Sequence, residues 1–92
     1  MNDPAGRERR EERLEERLSR IEFDARHGNS RQRTKAHREA TGYHSLFGER
    51  ITAIEKRLED SRIDNAERES LEAELEKALS RAKRMFDLID LN

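Results

Sequence analysis

The chain has 92 residues, of which 45% are charged and only 32% apolar, and its 20 basic and 21 acidic side chains nearly cancel. Ordinary globular domains are about 25% charged and about 45–50% apolar, so any core here is thin and the composition fits long helices packed along narrow seams, or disorder. The absence of cysteine excludes disulfides, thiolate chemistry and the common structural zinc sites, and no stretch approaches the ~20 apolar residues of a membrane span.

Apolar residues recurring at helical spacing argue against disorder and predict three helical segments. In the first, residues 1–27, Asn2 or Asp3 is placed to cap a helix with Pro4 just inside its start, where a missing N–H costs nothing. Its one apolar stripe is Leu14, Leu18, Ile21 and Ala25, a short heptad seam. Residues 7–13 carry no apolar side chain, so the expectation is a charged helix or a partly ordered arm that becomes stable only by packing this stripe. The same charge density leaves no apolar run of a signal peptide, and a cytoplasmic protein is expected.

The residues His27-Gly28-Asn29-Ser30 read as a stop followed by a new cap. Gly and Asn tolerate the left-handed conformation, and Ser favours an N-cap. A single helix bent at Gly28 is the alternative.

A second helix over about residues 31–59 carries the stripe Ala36, Ala40, Tyr43, Phe47, Ile51, Ile54 and Leu58. Asp60–Asp64 follows as a turn, and Asp64 with Glu67 forms a capping-box-like start to a third helix over about residues 65–90. That helix carries Leu71, Leu75, Ala78, Ala82, Met85 and Ile89, flanked by Leu79 and Phe86.

The short turn predicts an antiparallel hairpin, coiled-coil-like, spanning residues 31–92. Reversal near Arg62 sets Ile54 against Leu71, Ile51 against Leu75, Phe47 against Ala78, Tyr43 against Ala82, Ala40 against Met85 and Ala36 against Ile89. Every pairing is apolar on apolar, as interdigitated packing requires. The fold class is therefore all-α: a long helical hairpin preceded by a charged N-terminal helix, assembling into a dimeric helical bundle.

The longest window without a formal charge is Ala40–Gly48, ATGYHSLFG. Tyr43 and Phe47 point into the hairpin seam, Thr41, Ser45, Gly48 and Thr52 form a small-residue seam about 100° away, and Leu46 completes the apolar content of the window. Gly42 and Gly48 each cost about 1 kcal/mol relative to alanine inside a helix, which predicts either close approach of another helix or a break.

Tyr43, Leu46, Phe47 and Gly48, together with the first-helix anchors Leu14, Leu18 and Ile21, are the candidate partner-binding residues. The apolar side chains exceed what one hairpin can shield, so a two-fold dimer is expected, with a further protein partner possible through the first helix.

Charge supplies the alternative. Between Arg26 and Gly48 the bases Arg26, Arg31, Arg33, Lys35 and Arg38 face one acid, Glu39. Cations at a helix start oppose its dipole, so Arg31, Arg33, Lys35 and Arg38 invite a phosphate-bearing partner such as nucleic acid. Against this stand a pI near 6.3 and the lack of a recognisable nucleic-acid-binding motif.

No catalytic function is expected. The chain has no glycine-rich phosphate loop, nucleophile elbow or Glu-x-x-His pair, and His37 and His44 are too far apart on one helix to share an ion. Neither a metal nor another cofactor is expected.

Overall fold

The computed structural model describes residues 4–90, and among these it contains three α-helices and no strand. They are α1 (Pro4–His27), α2 (Ser30–Leu58) and α3 (Asn65–Ile89). Asn2 and Asp3, the expected caps of α1, lie outside the described residues. The chain divides into two compact units, Met1–Glu39 and Ala40–Asn92, with the boundary inside α2. No helix among the described residues is long and apolar enough to cross a membrane.

In the first unit the α1 stripe is the inward face. Leu18 is completely buried and Ile21 nearly so, with Leu14 and Ala25 half-buried, and Ala36 on α2 is buried as well. Fully burying a leucine or isoleucine contributes about 1.5–3 kcal/mol, so these two side chains are what hold an otherwise charged helix in place.

Only Gly28 and Asn29 separate α1 from α2, and the junction differs in chemistry from the expected one. No residue there has a positive φ. Gly28 instead donates its N–H to the Asp24 carbonyl at 3.0 Å, continuing the bonding of α1. The cap of α2 is Asn29 rather than Ser30: its carbonyl accepts the Arg33 N–H at 2.9 Å, and its Oδ1 accepts the Gln32 N–H at 2.9 Å. The Gln32 Oε1 in turn accepts the Asn29 N–H at 2.9 Å, which completes a reciprocal capping box.

Gly28 is required by space. A Cβ built on it would lie 2.5 Å from the Asp24 carbonyl oxygen and 2.7 Å from the Gln32 Cβ.

In the second unit α2 and α3 run antiparallel, and the contacts between them are those of a helical bundle. Arg57 reaches Glu67 at 2.8 Å, Arg50 approaches Glu74 at 3.6 Å, and the His44 and Phe86 rings lie 5.8 Å apart. Glu67 and Glu74 adjoin Arg68 and Leu75, the residues that the predicted register sets opposite Arg57 and Arg50. Ala40, Phe47 and Ile54 on α2 and Ala78 and Met85 on α3 are buried, and Ile54 and Leu71 line one groove.

The inward face of α3 departs from the expected stripe in one respect. Leu88 and Arg81 are buried, whereas their neighbours Ile89 and Ala82 are half-buried. No buried side-chain nitrogen or oxygen among the described residues lacks a hydrogen-bond partner, so Arg81 is satisfied where it lies.

The α2–α3 connection is held by charge. Asp64 caps α3 by accepting the Glu67 N–H at 2.7 Å. The Glu67 carboxylate does not return to the cap but takes two bonds from Arg57, at 2.8 and 3.0 Å. Asp60 accepts from the Arg62 N–H at 2.9 Å and from its guanidinium at 3.1 and 3.3 Å.

Candidate interaction surface

The two edges of the α2–α3 pair present different chemistry. On one edge Leu46, Arg50, Ala53 and Arg57 recur at heptad spacing along α2, with the ion pairs to Glu74 and Glu67 reaching across to α3. These residues, with Ile54 and Leu71, line an open groove. Leu46 stands at its rim, 56% exposed. The ion pairs are solvent-reached and contribute about 0–1 kcal/mol each, so they fix register more than stability.

The opposite edge is less charged. His44, Gly48 and Ile51 recur at helical spacing on α2, and His44 packs against Phe86. Phe86 belongs to a second heptad seam on α3, Leu75, Leu79, Ala82, Phe86 and Ile89, whose steps are 4, 3, 4 and 3. Leu79 and Phe86 are each 51% exposed. The other members of this row, Leu75, Ala82 and Ile89, are half-buried.

The glycines in the uncharged window neither break the helix nor receive a neighbour. α2 continues through both, and a Cβ built on Gly42 or Gly48 would have nothing within 4 Å. Thr52 returns its hydroxyl to the Gly48 carbonyl at 3.1 Å, a local bond, and Thr41 and Ser45 are exposed. The small-residue face is open at Gly48.

The expected partner-binding residues fall into two groups. Phe47 is buried and stacks on half-buried Tyr43 with 5.9 Å between centroids, and Leu18 and Ile21 are buried too. A partner would reach Phe47, Leu18 and Ile21 only by opening the fold. Leu46 is exposed, and Tyr43, Gly48 and Leu14 are accessible in part. Leu79 and Phe86 were absent from the expected set, although the spacing of their seam is visible in the sequence.

Arg31, Arg33, Lys35 and Arg38 are all exposed. Arg31, Lys35 and Arg38 share one face at helical spacing, whereas Arg33 points to another. Lys35 approaches Glu39 at 3.9 Å, which offsets part of the positive charge.

His27 lies 5.1 Å from the Phe23 ring, between centroids, and His44 has the Phe86 contact. Among the described residues no group of three His, Cys, Asp or Glu side chains is arranged to hold a metal. No protein-family model, curated protein or solved structure matches the chain.

Proposed function

We propose that this protein is a small non-catalytic interaction protein whose α2–α3 hairpin holds another polypeptide, most simply a second copy, as an oligomerisation or adaptor element. The observation that carries this reading is the exposure of Leu46, Leu79 and Phe86, each above half, on a chain with so few apolar residues. A thin core has little to spare. Leaving these three large side chains half in water forgoes about 0.7–1.5 kcal/mol each, and covering them on association recovers it.

A photoreactive residue introduced at Leu46 or at Phe86 in the intact chain, expressed in its own cell, tests the reading. Protein adducts at one or both positions are expected. Their absence at both sites, with the chain folded, would remove the proposal.

The basic face of α2 supports a second reading, binding of nucleic acid through Arg31, Lys35 and Arg38 with Arg33 on the adjoining surface. Phosphate contacts strengthen as salt falls. Failure of both DNA and RNA to bind at about 50 mM salt would eliminate it.

A further inference from the structure

We infer that the occupant of the outer α3 seam is the same seam of a second copy, packed antiparallel about a two-fold axis. This inference rests on the interaction reading above and specifies its partner and register. An isologous contact requires a surface that complements itself, and the seam Leu75, Leu79, Ala82, Phe86, Ile89 does so in one antiparallel alignment. There Leu79 packs on the partner's Ala82 and Leu75 on the partner's Phe86, with each layer repeated by the two-fold. In the central layer a large side chain meets a small one, and Leu75 with Phe86 forms the layer on either side.

Charge selects the same alignment. Glu76 and Lys83 flank the seam, one residue after Leu75 and Ala82. Both are exposed, and neither forms an ion pair among the described residues. In the antiparallel register Glu76 and the partner's Lys83 lie between the same two layers, and the two-fold produces that pair twice. A parallel pairing would set Glu76 and Lys83 beside the partner's Leu71 and Ala78, where neither meets a counter-charge.

Gly48 gives the approach its room. The Arg50–Glu74 and His44–Phe86 contacts place Gly48 level with the middle of the seam, and nothing occupies the space beside it. A partner helix on α3 can therefore also close on the His44, Gly48 and Ile51 face of α2. That added contact matters because Leu79 and Phe86 alone fall short of the about 800 Å² per partner of a standard interface.

Sedimentation equilibrium on the intact chain over a wide concentration range tests the proposal, with circular dichroism confirming that each variant keeps its helices. A reversible dimer is expected. Leu79→Glu should weaken it more than about a hundredfold, since the two-fold removes two leucine contacts at once. Glu76→Lys or Lys83→Glu alone should weaken it about three- to tenfold, the range for two surface ion pairs. The double variant E76K/K83E should return it to within about twofold of the parent, because exchanging the charges restores both pairs.

A dimer indifferent to Leu79→Glu, or a double variant no tighter than the singles, overturns the α3 pairing. So does a monomer at every concentration. None of these outcomes removes the interaction reading, which fails only if Leu46 and Phe86 yield no protein adduct.

Discussion

The two helix junctions of this chain solve the same problem by different means. Between α1 and α2 the chain turns with two residues, held by a reciprocal pair of backbone-to-amide bonds between Asn29 and Gln32 and by a glycine packed against Asp24 and Gln32. Between α2 and α3 it uses a longer turn, in which Asp60 gathers Arg62 and Arg57 while Arg57 also crosses to Glu67. The first junction rests on short-range steric fit, which tolerates no added atom. The second rests on solvated charge, which tolerates substitution and responds to pH and salt. The difference shows that the demand for glycine belongs to the space around the backbone and not to the turn as such.

The largest expected effect exploits that distinction. Gly28→Ala places a methyl within 2.7 Å of two atoms, one of them backbone, and should destabilise the chain by about 1–3 kcal/mol, the usual range for overpacking. Gly42→Ala meets open space inside a helix and should do the reverse, stabilising by about 0.5–1 kcal/mol. Gly48→Ala should match Gly42→Ala in dilute solution. Urea unfolding of the three variants side by side measures the contrast, and a common sign for Gly28 and Gly42 would break it.

Those same glycines show what was legible in the sequence. Near the turn the α2–α3 register was, because the stripes on both helices are long enough for a slip to set apolar residues against charge; Arg57 with Glu67 and Arg50 with Glu74 lie one residue from the predicted opposites, whereas His44 meets Phe86, five residues beyond its predicted opposite, Arg81. The Asp64 cap was legible for the same reason that it works, a short acceptor placed three residues before Glu67.

The α2 cap was not: Asn29 and Ser30 are equally good caps in isolation, and the choice falls to Gln32, which answers only Asn29. The apolar face of α3 was legible only in part. Spacing distinguishes neither Leu88 from Ile89 nor an inward seam from the outward one through Leu79 and Phe86, because both repeat with the heptad. The uncharged window Ala40–Gly48 contributes buried Phe47 and half-buried Tyr43 to the seam and keeps Leu46 exposed, and a second set of exposed apolar side chains lies on α3.

The two caps sharpen the comparison at intermediate size. Asn29→Ala removes the Oδ1 that accepts the Gln32 N–H, while the Gln32 Oε1 still accepts the backbone N–H at position 29, and a loss of about 1–2 kcal/mol is expected, within the range for N-caps. Asp64→Ala removes a single bond to the Glu67 N–H, with the Glu67 carboxylate still held by Arg57, and a loss of about 0.5–1 kcal/mol is expected. Thermal unfolding of both variants at low protein concentration gives the ranking. A larger loss at Asp64 would mean that the charged turn, and not the reciprocal box, is the more cooperative junction.

The smallest effect is one of pH, at Asp60 in the second junction. Asp60 is held below its ordinary value, first by the hydrogen bond from the Arg62 side chain, then by that from the Arg62 backbone N–H, with Arg57 adding a weaker Coulombic pull. A carboxyl depressed in the folded state stabilises fully above its unfolded value, about 3.9 for aspartate, and loses that contribution as pH falls through the folded value. The stability difference between the parent and Asp60→Asn should therefore be steady at neutral pH, shrink as pH is lowered below about 4 and vanish beneath the folded value. Carbon-13 titration of the Asp60 carboxyl resolves the cause: Arg62→Ala should move its midpoint upward more than Arg57→Ala does, since Arg62 supplies two of the three interactions that lower it. Equal shifts in the two variants would make the turn a diffuse charge cloud, whereas an unequal pair identifies the Asp60–Arg62 bonds as the element that closes it.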